Sequence, residues 1–357
     1  MCWLAAAEAS GDALGAALAT EIRQRRPDVE LRGIAGPRMR AAGVEAVARA
    51  EDLTTFGLVE AAVRAPGVAR TLGRAVWTLA RDQPSLLVTI DSPDMLLMLA
   101  RVARALRVPA VHWVSPQVWA WRPGRVDRIA SSVDALLCLL PFEPALYAGR
   151  VRAVFVGHPA ASIAPDPVPA RGTPRVALCP GSRASEIDRL WPVMKEVARR
   201  VRGRWPSAEL VVPVAPTIDR RRLGGLDATF VEGIARVAGA DAALTASGTA
   251  TLELAALDIP QVVVYAVHPL TAAVARVLVR APYAALPNLI AGRLLVPEHL
   301  QDLDPDRLFA DLCAVMGRRD QVPRGLIDSL HGSAAIGRAA DEIIPWLPVE
   351  ARREQRA

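Results

Sequence analysis

Short apolar segments alternate with amphipathic segments through the first half of the chain, and this alternation limits the possible folds more than any other feature. Strand-like segments lie at 2–7, 31–35, 86–90, 110–114, 135–140 and 153–156. Helical periodicity separates most of them, and strands joined by helices form parallel sheets with helices on both faces. The pattern therefore predicts a doubly wound α/β domain.

The alternation stops between His158 and Arg175, where five prolines exclude a regular helix or a central strand over most of the stretch. It resumes with strand-like segments at 176–179, 209–214, 241–245 and 261–266. We predict an N-terminal domain over 1–158, a proline-rich linker over 159–174, a C-terminal domain over 175–345 and a tail over 346–357. Ligands of doubly wound sheets bind outside the carboxyl ends of the strands, so we expect the chemistry in a cleft between two such domains.

Composition and charge disfavour several classes of function. The four cysteines lack metal-site spacing, which predicts buried, reduced thiols in a cytoplasmic protein without a metal. The longest apolar runs are too short or too interrupted by acids to cross a bilayer, and the start of the chain lacks a signal-peptide pattern. We therefore expect any membrane contact to be peripheral. The net charge of +6 favours anionic partners, but no arginine-dense run with interleaved aromatic residues predicts nucleic-acid binding.

Acidic residues follow two predicted strands of the first domain. Glu8 and Asp91 each come after an apolar strand, and neither has an evident capping role. Ser10 or Asp12 is expected to cap the first helix, and Asp94 to cap a later one. An acid at the end of a strand can accept a proton from a substrate hydroxyl, so Asp91 is the first candidate for a general base and Glu8 the second.

Tryptophans are concentrated in the segment 112–122, at Trp113, Trp119 and Trp121, and Arg122 follows directly. His112 lies inside a predicted strand, where a hydrogen-bonded core histidine is the usual case. Broad aromatic side chains suit a wall of the cleft, so Trp119, Trp121 and Arg122 are candidate contacts of an acceptor substrate.

Two glycine turns in the second domain lie between a strand and a helix. The first, PGSRASE (180–186), presents backbone N–H groups beside Arg183 and suits a diphosphate. The second, SGTATLE (247–253), adds Glu253, a carboxylate that can accept hydrogen bonds from both hydroxyls of a ribose. Neither turn has the lysine of a Walker loop or a GxGxxG pattern, which disfavours triphosphatases and dinucleotide dehydrogenases. Together the turns predict a nucleoside diphosphate ligand.

Taken in order, these segments resemble the lipid-A-disaccharide synthase family. The resemblance runs through AEASGD (7–12), GIAGPRM (33–39), FGLVE (56–60), IDSPD (90–94), the segment 115–122, LPFE (140–143), PGSR (180–183), SGT (247–249) and LPNLIAGR (286–293). It covers nearly the whole chain. Each motif is modest, but their combination is highly specific.

The resemblance implies an α/β GT-B fold with two Rossmann-like doubly wound domains that face a cleft. It implies an inverting transfer from UDP-2,3-diacylglucosamine to 2,3-diacylglucosamine 1-phosphate (lipid X), which gives the lipid A disaccharide 1-phosphate and UDP without a metal or cofactor. By position, Asp91 resembles the family's proposed base, and Glu253 resembles a ribose-binding acid. The predicted donor-site residues are Ser182, Arg183, Glu186, Ser247, Gly248, Thr249, Glu253 and Asn288.

An apolar segment followed by arginines predicts contact with a membrane surface. Its apolar positions are Leu58, Val59 and Val63, and arginines follow at 64, 70 and 74. Both expected substrates carry acyl chains, and such a segment suits shallow insertion beside anionic headgroups. The alternative is a helix face packed on the sheet. The expected location is cytoplasmic and peripheral on the inner membrane of a Gram-negative bacterium, and a homodimer is left open.

Two other classes of function share these features. Another GT-B enzyme acting on UDP-sugars, such as a soluble-acceptor transferase or an epimerase, has the same domains and diphosphate turn. The second class is a non-catalytic nucleotide-binding scaffold, which would also need Arg183 and Glu253. The presence of Asp91 and of the tryptophans argues against this class.

Overall fold

The chain forms two compact units, each built on one parallel sheet. The computed structural model describes residues 1–53, 58–120, 123–163, 172–216, 218–268 and 281–348, with the backbone alone at 58–65 and 123. The first unit contains Met1–Gly157 and the residues from Ala334 onward, and the second contains His158–Ser333.

Thirteen strands make up the two sheets in the part of the chain that the structure describes. Those of the first unit are β1 (Cys2–Ala6), β2 (Leu31–Ala35), β3 (Glu45–Arg49), β4 (Leu86–Ile90), β5 (Ala110–Trp113), β6 (Ala135–Cys138) and β7 (Arg152–Phe155), in the order β3-β2-β1-β4-β5-β6-β7. Those of the second unit are β8 (Arg175–Cys179), β9 (Glu209–Val214), β10 (Thr229–Glu232), β11 (Ala242–Ala246), β12 (Gln261–Tyr265) and β13 (Glu298–Leu300), in the order β10-β9-β8-β11-β12-β13.

Helices connect the strands and cover the sheets. In the first unit they are α1 (Ala9–Arg25), α2 (Pro37–Ala41), α3 (Leu58–Asp82), α4 (Pro93–Ala105), α5 (Val126–Ala130) and α6 (Glu143–Leu146). In the second unit they are α7 (Ala184–Arg204), α8 (Ala250–Ala256), α9 (Leu286–Ala291), α10 (Pro305–Val315) and α11 (Arg324–Asp328). The last described helix, α12 (Ala335–Ile343), returns to the first unit.

The central strands are buried on both faces. Every residue of β1 and β4 in the first sheet, and of β8 and β11 in the second, is buried. In the first unit, α1 and α12 cover one face, whereas α3 and α4 cover the other. In the second unit, α7 and α10 share one apolar core with the sheet, and α8 contributes to cores on the other side. Doubly covered sheets explain why the strands read as short, continuous apolar runs.

The last helix differs from the predicted domain limits, which carried the second domain to residue 345. The α12 helix packs against α1, where Ala339, Ala340 and Ile343 are fully buried in the core of the first unit. Ion pairs reinforce this packing, with Arg25 2.5 Å from Asp341. Periodicity identifies an apolar helix face but not which of two cores that face will cover. Of the predicted linker, residues 164–171 lie outside the described part of the chain.

Three edge strands were not predicted from the sequence pattern. These are β3, β10 and β13, which lie at sheet edges and include exposed residues. An edge strand covered on few sides needs no continuous apolar run, so its sequence resembles that of a loop.

The predicted membrane segment falls at the start of α3. The side chains of Leu58, Val59 and Val63 lie outside the described residues, as does the whole of Phe56. None of the described helices is both long and apolar enough to cross a bilayer.

Candidate active site

The strand order of the first sheet brings the ends of β1 and β4 together. These strands pair in parallel with Ala6 opposite Ile90, and the winding direction of the sheet reverses between them. Such a reversal leaves a crevice at the carboxyl ends of the two strands, where ligands of this fold bind. The segments 7–12 and 91–94 both begin at this position.

Asp91 is half-buried and held by hydrogen bonds at this edge. Its Oδ2 accepts a 2.7 Å hydrogen bond from Ser10 Oγ, and its Oδ1 accepts one of 2.8 Å from the N–H of Ser92. Its own N–H donates to the carbonyl oxygen of Trp113 in the next strand. Both carboxylate oxygens therefore have fixed positions and keep lone pairs for a further donor. The contact with Ser10 replaces the helix-capping role that we expected for that residue.

The backbone around Asp91 is strained. Asp91 and Ser92 adopt left-handed conformations with φ of 59° and 45°, and Val114 at the end of the neighbouring strand has φ of 78°. Left-handed backbone is unusual for residues other than glycine, particularly for β-branched ones. Gly11 permits the close approach of α1, because a Cβ atom there would lie 2.9 Å from the carbonyl oxygen of Ile90.

The other acids of the first unit have different surroundings from those that we expected. Asp12 is buried, and its carboxylate accepts hydrogen bonds from the N–H groups of Arg38 and Met39 at the start of α2, not of α1. Glu8 is exposed at the N-cap position of α1 and makes no capping hydrogen bond through its side chain. Asp94 lies in the first turn of α4, where Ser92 is the N-cap, and pairs with Arg125 at 2.5 Å.

His112 is fully buried in β5, as the sequence predicted, but it is only half hydrogen-bonded. Its Nδ1 lies 2.8 Å from Thr89 Oγ1, and its Nε2 has no hydrogen-bond partner among the described residues. Burial lowers the pKa of His112 to about 4, although the nearby charge of Asp91 acts in the opposite direction. The ring is therefore neutral at neutral pH. Trp113, the next residue, is fully buried in the core.

Trp119 is anchored to a buried acid that the sequence analysis did not single out. Its Nε1 donates to Glu143 Oε1 at 3.3 Å, and its ring meets the edge of Phe142 at 5.6 Å between centroids. The other carboxylate oxygen of Glu143 accepts from the N–H groups of Leu139 and Leu140. Burial raises the pKa of Glu143 to about 7. The sequence signal that could have identified Glu143 is the presence of an acid in the otherwise apolar segment LPFE (140–143). Trp121 and Arg122 lie outside the described residues.

The second sheet repeats the topology of the first. Its strands β8 and β11 pair in parallel at the point where the winding reverses, with Cys179 opposite Thr245. The two glycine turns, 180–183 and 247–249, follow these strands directly. The structure therefore brings the two predicted phosphate-binding turns to neighbouring positions at one edge of the sheet.

The first turn is closed by Glu186. Its Oε2 accepts hydrogen bonds of 3.3 Å each from the N–H groups of Ser182 and Arg183, and its Oε1 lies 3.0 Å from Arg183 Nη1. Gly181, with φ of 103°, has no room for a side chain, because a Cβ atom there would lie 2.5 Å from Glu186 Oε2. Glu186 thus caps the start of α7, whereas we expected it to contact a nucleotide. The Arg183 side chain is 67% exposed.

The second turn is open on its glycine side. Gly248 has φ of 141°, and a Cβ atom there would have no neighbour within 4 Å. Its carbonyl oxygen accepts hydrogen bonds from the N–H and the hydroxyl of Thr251. Ser247 Oγ donates to the carbonyl oxygen of Ala284 at 2.8 Å, and Thr249 is exposed at the N-cap position of α8.

Glu253 lies largely buried in α8 behind this turn. Burial raises its pKa to about 7. Burial also raises the pKa of the Cys179 thiol, and the charge of Glu253 adds to that effect, so the carboxyl group is close to the end of β8. Its role as a ribose-binding acid stays a prediction.

Asn288 has a structural role in place of the direct nucleotide contact that we expected. It is fully buried, and its Nδ2 donates to Glu298 at 2.6 Å and to the carbonyl oxygen of Val296 at 2.8 Å. Its Oδ1 accepts from the N–H groups of Leu295 and Val296. Glu298 also accepts from the N–H of Ala284, the residue whose carbonyl oxygen binds Ser247. Asn288 therefore acts on the second turn only through other residues.

Solved structures with this architecture include glycosyltransferases and epimerases. The chain is similar to the glycotransferase of kitacinnamycin, with a TM-score of 0.62, 18% identity, and coverage of 97% of this chain and 99% of that one. It is similar to the UDP-GlcNAc 2-epimerase of Neisseria meningitidis, with a TM-score of 0.62, 10% identity, and coverage of 96% and 98%. At these identities the likeness shows the fold, which is GT-B with two Rossmann-like domains.

Sequence comparisons identify the family. A family model described as lipid-A-disaccharide synthetase matches residues 2–308. The lipid-A-disaccharide synthase of Anaeromyxobacter dehalogenans (strain 2CP-C) is 44% identical, with 88% of each chain covered. That of Thiobacillus denitrificans (strain ATCC 25259 / T1) is 39% identical, with 96% of this chain and 99% of the relative covered. The chain thus belongs to the lipid-A-disaccharide synthase family of glycosyltransferases.

Proposed function

We propose that the chain transfers a diacylglucosamine unit, with inversion, from UDP-2,3-diacylglucosamine to the 6-hydroxyl of 2,3-diacylglucosamine 1-phosphate. The observation that carries this proposal is the carboxylate of Asp91, held by Ser10 and by the N–H of Ser92 at the point where the first sheet reverses its winding. Family membership supports the lipid A disaccharide as product.

Asp91 serves as the general base in this proposal. The acceptor hydroxyl donates its proton to a carboxylate oxygen of Asp91, and the oxygen of that hydroxyl attacks the anomeric carbon of the donor sugar from the face opposite the leaving UDP. The two existing hydrogen bonds leave each carboxylate oxygen one further lone pair for the incoming proton. Because they also fix the orientation of the group, little reorganisation is needed before transfer.

The second unit binds the donor nucleotide. The largely exposed side chain of Arg183 faces the diphosphate, and the positive end of the 21-residue helix α7 stabilises the charge that grows as UDP leaves. Ser182 contributes to the first glycine turn, and Ser247, Gly248 and Thr249 form the neighbouring turn. Glu253 accepts hydrogen bonds from the ribose hydroxyls. Supporting this arrangement, both turns follow adjacent strands of one sheet.

The first prediction concerns the reaction and its base. The wild-type chain should release UDP from the diacylated donor only when the monophosphorylated acceptor is present. The Asp91→Asn variant should lower turnover by roughly 10²- to 10⁴-fold, because the amide cannot accept the proton, and should leave UDP binding nearly unchanged. Both quantities are measured by a coupled UDP-release assay and by calorimetry.

The Glu8→Gln variant is the matched comparison for Asp91→Asn. If Asp91→Asn keeps near-normal turnover and Glu8→Gln loses most of its turnover, then Glu8 and not Asp91 is the general base. UDP release that does not depend on the acceptor would exclude the transferase, and turnover of water-soluble UDP-sugars alone would favour an epimerase.

The second prediction concerns the diphosphate. Replacing Arg183 by alanine should weaken UDP binding and slow transfer together, since it removes a charge-assisted contact to a group whose negative charge grows in the transition state. Arg199 is a suitable control, because it lies within α7 and pairs with Glu196 three residues away, as Arg183 at the start of that helix pairs with Glu186. If Arg183→Ala and Arg199→Ala bind UDP equally well in calorimetry, Arg183 does not contact the diphosphate.

The third prediction concerns the pH dependence of nucleotide binding. The pKa of Glu253 is about 7 in the folded, ligand-free protein, so the group is mostly protonated at pH 6 and mostly ionised at pH 8. The ionised form accepts from the two ribose hydroxyls more strongly than the protonated form, one of whose oxygens carries a proton, and affinity should therefore rise roughly 3- to 10-fold over this interval. Titrations with uridine, which has no phosphate to ionise, isolate this effect. The Glu253→Gln variant should bind more weakly at pH 8 and lose the pH dependence, and an equally steep profile in both proteins would argue against the role.

The fourth prediction concerns the membrane, which we propose the chain contacts peripherally through the start of α3. Both substrates carry acyl chains whose transfer to water costs about 0.8 kcal/mol for each CH₂ group. Changing Leu58 and Val63 to serine should reduce sedimentation with anionic liposomes and activity on lipid-embedded substrates, whereas UDP affinity and thermal stability should stay close to wild type. Leu300→Ser, at a leucine that is 50% exposed on β13, serves as the control. Unfolding of the double variant would instead assign these side chains to the core.

A further inference from the structure

A groove of about 450 Å³ lies in the first unit between α4 and α5. Two helical faces line it. The face on α4 consists of Asp94, Leu97, Met98 and Arg101, and the face that runs into and beyond α5 consists of Arg125, Arg128, Ile129 and Ser132. Both sets follow the spacing i, i+3, i+4, i+7, which places the first set on one side of α4. Of the second set, Arg128 and Ile129 lie in α5, and Arg125 and Ser132 flank it. One wall of the groove is therefore a face of the regular helix α4.

The groove carries more positive than negative charge. Its lining includes three arginines and one aspartate, and that aspartate, Asp94, pairs with Arg125 at 2.5 Å. Arg101 and Arg128 are exposed and make no ion pair with any described residue. Other cations nearby are neutralised, as Arg104 pairs with Asp134 at 3.1 Å. Two guanidinium groups in the groove thus remain available for an anion.

The groove begins beside the proposed base. Its lining starts at Pro93, two residues after Asp91, and runs along α4 to Arg101, about 12 Å further at 1.5 Å for each residue. When the 6-hydroxyl of a sugar contacts Asp91, the anomeric carbon lies across the sugar ring from that hydroxyl. A phosphate on that carbon therefore lies within reach of the cationic groove.

Apolar side chains accompany the arginines. Leu97 and Ile129 are buried beneath the groove, and Met98 is 52% exposed. A purely ionic site for a soluble anion has no use for exposed methionine, whereas an amphiphile with a phosphate and acyl chains matches both parts of the lining.

We propose that this groove binds the phosphate monoester of the acceptor, with Arg101 and Arg128 as its contacts. The proposal rests on the proposed function and adds to it the source of acceptor specificity. Guanidinium groups match phosphate oxygens in geometry and charge, and a monoester carries close to two negative charges near neutral pH. The groove thereby distinguishes an acceptor with an anomeric phosphate from the same diacylated sugar without one.

The test measures kcat/KM for two acceptors, diacylglucosamine 1-phosphate and diacylglucosamine, in neutral detergent micelles free of phospholipid. Wild type should prefer the phosphorylated acceptor. In the double variant Arg101→Ala/Arg128→Ala this preference should fall roughly 10- to 100-fold, because only the phosphorylated acceptor loses contacts. The variant Arg101→Lys/Arg128→Lys keeps the charges and should retain part of the preference. Arg107→Ala, at an exposed arginine beyond α4 and outside the groove, is the control for loss of a surface arginine and should leave the preference unchanged.

Each alternative gives a different result. An unchanged preference, or an equal loss with both acceptors, overturns the proposal. Weaker sedimentation of the alanine variant with phosphatidylglycerol vesicles at an unchanged preference assigns the groove to membrane headgroups and also overturns it. Failure of the wild-type chain to release UDP with either acceptor contradicts the proposed function itself, so the two failures are distinguishable.

Discussion

The pairing of two central parallel strands in each unit positions Asp91 and Ser10 in the first unit and the two glycine turns in the second. β1 and β4 are buried along their whole length, as are β8 and β11, and side chains packed on both faces leave these strands little freedom. The segments that follow them start from fixed points at one edge of the sheet. The winding reverses between the paired strands, so no helix covers the junction and the two segments lie side by side.

At the first junction the protein holds Asp91 in a conformation that its backbone does not favour. Left-handed φ values at Asp91, Ser92 and Val114 cost about 1–3 kcal/mol each, and such strain persists only where surrounding contacts determine it. Here those contacts are the hydrogen bond from Asp91 N–H to Trp113, the hydroxyl of Ser10 and the close approach of Gly11. Strain of this kind at a strand end is frequent at catalytic positions. It supports a functional role for Asp91 independently of any sequence motif.

Burial, rather than charge pairing, sets the titration of the acids beside the site. Glu143 and Glu253 both have pKa values near 7 because each is withdrawn from water. Within the described part of the chain, hydrogen bonds partly offset the effect of burial on the pKa of Glu143, but none does so for Glu253. Glu143 is committed to Trp119 and to the backbone of the 139–143 turn. The carboxyl group of Glu253 has no such commitment within the described part of the chain, which suits a group reserved for a ligand.

The amino-acid sequence by itself determined the doubly wound architecture, the central strands, the two glycine turns and the prominence of Asp91, because buried strands and tight turns have strong local signatures. It also carried the family resemblance that the comparisons confirmed. The edge strands β3, β10 and β13 could not be predicted from the sequence, since partly exposed strands lack an apolar run. Only the tertiary structure decided that Ser10 orients Asp91, that Asn288 is a buried scaffold residue and that α12 belongs to the first unit. Each of these depends on contacts between residues distant in sequence, such as the 81 positions that separate Ser10 from Asp91, and local pattern contains no information about them.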